Sequence, residues 1–168
     1  MGYFPMCMDL RNRLILLIGG GKQIQEKEEK LRPFGGILRR RDTLTEADLT
    51  DEVAFVVIGD TPRHTAEQYR RLCNTYRVPV NVVDMPDLCS FCFPALITRG
   101  PLTISVSTGG TVPAVGAVIK ERIAELLPAD TEEILTGLQH LRQEFYSRYP
   151  KETARQMLRA AIEEAFSQ

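Results

Sequence analysis

The stretch LILLIGGGKQIQEKEEKL, residues 14–31, changes character twice. LILLI is a continuous apolar run of strand length, the composition of a strand buried on both faces of a parallel sheet. Gly19, Gly20 and Gly21 then break the run, and the charged segment that follows reads as a helix ending near Pro33 and the glycines at 35 and 36. A strand, a glycine turn and a helix in that order place backbone N–H groups and the positive helix end together, where they can face an anion.

Outward from this unit the alternation repeats. A poorly apolar strand is expected at about 37–41 and a strongly apolar one, VAFVVI, at 53–58. Thr61 and Pro62 open a helix that runs to about Tyr76. VPVNVVD gives the next strand and carries Asp84 to its carboxyl end, the edge at which open α/β sheets bind ligands. ALIT and LTISVS, separated by RGP, read instead as an antiparallel hairpin. Three helices follow. The first has Val115, Val118, Ile119, Ile123, Leu126 and Leu127 on one broad apolar face. Asp130 and Glu133 have capping-box spacing before the second, and the third runs from about Lys151 to Phe166. The expected fold class is α/β, a Rossmann-like, mostly parallel sheet followed by a small hairpin and a C-terminal helical region. The change of architecture falls near residue 112, dividing the chain into 1–112 and 113–168.

Composition narrows the function classes. With 168 residues, 43% hydrophobic and 26% charged, the chain has the make-up of a globular domain. A formal net charge of -1 argues against a general nucleic-acid binder, Arg39–Arg41 being one short basic run. No apolar run has the length of a membrane span. The start MGYFPM has Met6 where a myristoylation signal wants Ser or Thr, and no signal-peptide core follows. Four cysteines without a framework spacing fit a reducing compartment, so a cytoplasmic location is expected.

Several residues could carry chemistry, each beside a plainer role. The Gly19–Gly21 turn can cradle a pyrophosphate, or it can be a tight connection without a ligand. In the G-x-G-x-x-G/A pattern the last position is small so that helix and strand approach closely. Here it is Ile24, whose bulk is expected to push the helix away or force a local adjustment, overpacking of that kind costing about 1–3 kcal/mol. Asp42 stands at the spacing of the acidic residue that holds an adenine ribose, and it can equally be a loop residue. The three arginines before it suit a 2'-phosphate or a solvated strand edge. Asp84, partly desolvated at a sheet edge, suits a general base or a turn contact. Between a strand and a helix, Ser107, Thr108, Gly109, Gly110 and Thr111 could form an anion-binding nest or a capped connection. Cys89 and Cys92 lack two further ligands for a structural zinc, so no metal site is expected and core burial of both thiols is the simpler reading.

Taken together, YFPMCMDLRNR, GGG at 19–21, VPVNVVDMPDLCSFCFPALITRGPLTISVSTGGTVPAV and a helix ending LLP resemble the precorrin-2 dehydrogenase/sirohydrochlorin ferrochelatase family, including the N-terminal part of bifunctional siroheme synthases. The resemblance spans nearly the whole chain. It implies a Rossmann-like domain with a helical dimerisation region, active as a homodimer, that oxidises precorrin-2 to sirohydrochlorin with NAD+; some members also insert iron. The family's catalytic aspartate falls on Asp84. Its dinucleotide contacts fall on Gly19, Gly20, Gly21, Lys22 and Gln23, on Asp42 and Thr43 after the second strand, and on Asp60 and Thr61 after the third. Its tetrapyrrole contacts fall on Asn81, Ser107, Thr108, Gly109 and Gly110.

Where the family usually reads G-G-G-x-V-A-x-R-K, this chain reads GGGKQIQEK, and its loop after the second strand is shorter. These departures lie on the dinucleotide side. Three functions follow: an NAD-dependent precorrin-2 dehydrogenase, a tetrapyrrole-binding or metal-chelating member with a degraded NAD site, and a non-enzymatic dinucleotide- or tetrapyrrole-binding module. All three have a tetrapyrrole or dinucleotide partner and none needs nucleic acid or membrane.

Overall fold

The computed structural model describes residues 3–167. Its contacts divide the chain into two compact units, meeting at Cys92 and Phe93.

The first unit is a four-stranded parallel sheet, β1 (Leu14–Ile18), β2 (Ile37–Arg41), β3 (Val53–Ile58) and β4 (Val80–Val82), in the order β2-β1-β3-β4. Helix α1 (Lys22–Leu31) links β1 to β2, and α2 (Arg63–Thr75) links β3 to β4. Every residue of β1, β3 and β4 is buried, which is why these strands read as unbroken apolar runs. On one face Leu14, Leu16, Ile18, Val56, Ile58, Val80 and Val82 pack with Ala66 and Cys73 of α2. Alternation turns Ile15, Leu17, Phe55 and Val57 to the other face, where Phe55 meets Phe91 edge-on with ring centroids 5.0 Å apart.

Strand β2 is the exception, mostly exposed and at the sheet's edge. Its arginines suit that place, since charge on an edge strand discourages pairing with another chain. Arg40 pairs with Glu28 of α1 at 2.6 Å, and Arg41 lies 3.5 Å from Asp48. Asp48 itself closes a capping box with Thr45 in the short turn before β3.

Because β1 leads to β2 on one side and β3 to β4 on the other, the strand order reverses between β1 and β3. The crevice at such a reversal, at the carboxyl ends of the strands, is where open α/β sheets bind ligands.

The second unit opens with the hairpin β5 (Ala95–Arg99) and β6 (Leu102–Val106), which packs with α3 (Pro113–Glu125). Helices α4 (Thr131–Arg148) and α5 (Lys151–Ala165) pack against each other. The hairpin thus belongs with the helices by packing, whereas the sequence puts the architectural change near residue 112. The capping box expected at Asp130 and Glu133 does not form: Asp130 is the N-cap without a side-chain bond, and the neighbouring Thr131 hydroxyl donates to the Pro128 carbonyl at 2.5 Å.

Candidate active site

The cleft is built by the ends of β1, β3 and β4. Gly19 and Gly21 have φ of 82° and 92°, a region that side-chain-bearing residues avoid, so the tight exit from β1 requires glycine at both. The Gly19 N–H donates to the Arg41 carbonyl at 2.8 Å and the Gly59 N–H to Ile18 at 2.9 Å, extending the ladder on both sides of β1 to the cleft. A Cβ at Gly20 would meet nothing within 4 Å, so a ligand can approach this backbone closely. Gly21, the N-cap of α1, has no side chain to accept from the first-turn N–H groups, which leaves those donors for an anion.

Ile24 is fully buried, and a local adjustment accommodates it. The room comes from β3: Gly59 faces it, and a Cβ there would overlap Ile24 Cγ1 and stand 3.0 Å from the Gly20 carbonyl oxygen. The small residue that allows helix and strand to approach sits on the strand instead of the helix.

Two openings flank the turn. One, of about 350 Å³, is lined by Gly19, Gly20, Arg40, Arg41 and Asp42. The other, of about 310 Å³, is lined by Gly20, Gly21, Lys22, Gln23, Gly59, Asp60, Thr61, Val83, Asp84 and Met85. Together they gather all the dinucleotide candidates except Thr43, which is exposed beyond them. The glycine turn, Asp42 just past β2 and the residues after β3 offer a phosphate cradle, a carboxylate acceptor and a floor for a ring, so the residues fit a dinucleotide.

Asp84 lies two residues beyond β4, exposed, with φ of 59°. Its exposure corrects the expectation of partial desolvation. The Gln23 side-chain amide donates to its Oδ2 at 2.9 Å. On the same helix Lys27 is half-buried, and burial first and Lys30 second push its ammonium below the usual lysine range, while Cys89 and Asp84 oppose that shift.

Asn81 is buried, and its amide is directed inward: Nδ2 donates to the Phe91 carbonyl at 3.0 Å and approaches Cys89 Sγ at 3.5 Å. It supports the loop after β4 and lines neither opening. Cys89 joins that support, accepting from the Val82 N–H at 3.1 Å and donating to the Val82 carbonyl at 3.2 Å. Burial pushes its thiol up. Cys89 and Cys92 are half-buried, and Cys73 is the thiol in the core, pushed up to about 12 by burial. Among the described residues no group of three His, Cys, Asp or Glu side chains could hold a metal ion, and no helix is long and apolar enough to cross a membrane.

In the second unit Ser107–Gly110 form a turn between β6 and α3. Gly109 and Gly110 have φ of 63° and 82°, the Ser107 hydroxyl accepts from the Gly109 N–H at 3.2 Å, and the Thr111 hydroxyl donates to the Thr108 carbonyl at 2.7 Å. A Cβ at either glycine would meet nothing within 4 Å, so their backbone is open to a ligand.

The family described as putative NAD(P)-binding matches residues 26–95, and that described as sirohaem biosynthesis protein central matches residues 99–126. The chain is 30% identical over 174 residues to siroheme synthase of Thioalkalivibrio sulfidiphilus, covering 89% of this chain and 35% of that protein. It is 33% identical over 150 residues to siroheme synthase of Azotobacter vinelandii and 34% identical over 152 residues to that of Stutzerimonas stutzeri, each match covering 77% of this chain and 32% of the relative. The chain thus spans about a third of the length of these curated relatives. A solved structure of SirC, precorrin-2 dehydrogenase, superimposes with a TM-score of 0.72 at 18% identity, over 98% of this chain and 92% of that one. Fold and cleft define an α/β protein of the NAD(P)-binding, Rossmann-like class. Within it the chain is similar to siroheme synthases over about a third of their length, and its residues 99–126 match the sirohaem biosynthesis central family.

Proposed function

We propose that the chain oxidises precorrin-2 to sirohydrochlorin in siroheme biosynthesis, with NAD+ as the hydride acceptor, as a cytoplasmic homodimer. The observation that carries this reading is the position of Asp84: its carboxylate lines the same opening as the first turn of α1 and the end of β3.

Bound NAD+ supplies the acceptor for one hydride from a macrocycle carbon. The chain's part is to bind, orient and take the proton. Gly19–Gly21 and the N-terminus of α1 hold the pyrophosphate. Asp60 and Thr61 border the opening on the side of β3. Asp84 accepts the proton that leaves the macrocycle as the hydride departs, so that precorrin-2 and NAD+ become sirohydrochlorin, NADH and one proton. Ser107, Thr108, Gly109 and Gly110 are the substrate-binding segment of this reading, offering N–H and hydroxyl donors to the macrocycle's carboxylates.

Charge at the end of β2 favours NAD over NADP. Arg40 is engaged by Glu28 and Arg41 lies beside Asp48, which leaves Asp42 to accept from a ribose 2'-hydroxyl. Homodimerisation is supported by α3 and its flanks, where Val112, Val115, Val118, Ile119 and Leu126 are exposed.

A second reading rests on the exposure of Asp84: a carboxylate open to solvent can also collect pyrrole N–H protons as a metal ion enters sirohydrochlorin. Anaerobic assays with NAD+ and, separately, with sirohydrochlorin and Fe2+ distinguish the two. Sirohydrochlorin and NADH formed together support the dehydrogenase, and metal insertion without oxidation supports the chelatase.

A further inference from the structure

We propose that Gln23 is a positioning residue for Asp84, its side-chain amide holding one carboxylate oxygen so that the other is presented to the substrate's departing proton. This rests on the oxidation proposed above and assigns a second residue to it.

The two side chains come from elements 61 positions apart and meet over the same opening, Gln23 Nε2 donating to Asp84 Oδ2 at 2.9 Å. Neither is buried, so close packing does not force the contact. The backbone of Asp84 is fixed in the left-handed region by a turn in which the Met85 N–H donates to the Val82 carbonyl at 3.3 Å. That turn sets where the carboxyl group starts, and the amide bond then selects its rotation. Of the two oxygens, Oδ2 is the one engaged by Gln23.

A neutral donor suits this place. A cation against Asp84 would neutralise the base and repel the positive charge of an oxidised nicotinamide ring, whereas an amide orients the carboxylate and adds no net charge. The charged groups around it are otherwise disposed. Lys22 lies 3.9 Å from Glu26, Asp60 lines the same opening, Asp87 pairs with Arg63, and Lys27 sits one turn further along α1 within electrostatic reach of Asp84.

The test uses Gln23→Met, which keeps length and helix propensity and removes the donor, with Gln23→Ala as a second variant on this exposed helix turn. A hydrogen bond to a charged group is worth enough to predict a fall in kcat of about tenfold or more. In an Asp84→Asn background Gln23→Met lowers the residual rate no further, because the carboxylate it orients is gone. In the free protein at pH 7, without substrate, the Asp84 carboxyl carbon signal, assigned by its loss in Asp84→Asn, moves from its wild-type position in Gln23→Met. An unmoved signal and effects that simply add overturn the proposal even if wild type turns over. Wild type that fails to oxidise precorrin-2 overturns the dehydrogenase reading, and the position of that signal alone then decides whether Gln23 holds Asp84.

Discussion

Gly59 at the end of β3 faces Ile24 of α1 so closely that a Cβ on residue 59 would overlap the isoleucine's Cγ1. The pair preserves the close approach of helix and strand on which the glycine cradle depends, with the bulky and the small residue exchanged between the two elements. Gly59→Ala is expected to cost about 1–3 kcal/mol by overpacking and to weaken dinucleotide binding. Adding Ile24→Ala to it recovers part of that loss. Urea unfolding and NADH fluorescence titration of the two single variants and the double variant measure the coupling.

Gly21→Ala places a Cβ at φ of 92°. The expected cost is about 1–2 kcal/mol of stability, with a larger relative loss of dinucleotide affinity because the first-turn N–H groups move. Unfolding free energy and dinucleotide Kd, measured on the same preparation, separate the two effects.

Glu28 holds Arg40 at 2.6 Å and Arg32 at 2.9 Å. Glu28→Gln releases the Arg40 guanidinium toward the opening it shares with Asp42, so NADP affinity is expected to rise relative to NAD affinity. Asp42→Ala is expected to lower NAD affinity by removing the ribose acceptor. Parallel NADH and NADPH titrations give the ratio.

The Thr45 hydroxyl and backbone N–H, followed by Arg41, hold the Asp48 carboxyl below the usual carboxylate range. A carboxyl whose pKa is lower folded than unfolded stabilises the fold above the unfolded value, about 4, and that contribution disappears as pH falls through the folded value. Thr45→Ala is therefore expected to destabilise the protein at pH 7 and to leave a smaller difference from wild type near pH 3. Thermal unfolding at the two pH values shows the convergence.

Much of this was legible in the sequence because local pattern decided it. VAFVVI, the hairpin ALITR–LTISV and the start of α5 at Lys151 follow from apolar runs, turn residues and proline, and the structure has them at or within a residue of the expected bounds. Even β2 was readable despite its arginines, since an edge strand needs no buried face. What escaped depends on residues far apart in the chain. No local rule pairs Ile24 with Gly59 or Gln23 with Asp84. The capping box at Thr45 escaped because it closes a turn of only three residues, too short to show helical periodicity. Asn81 lies in a block expected to meet substrate, but strand alternation turns it inward, and only the loop at 89–91 shows what it holds.

The most direct measurement is anaerobic conversion of precorrin-2 with NAD+, following sirohydrochlorin and NADH together, with Asp84→Ala beside wild type. Equal amounts of both products from wild type, and a rate reduced by about 10²–10⁴ in the variant, are expected. Wild type that forms neither product, or a variant as fast as wild type, would contradict the role given to this cleft and to Asp84.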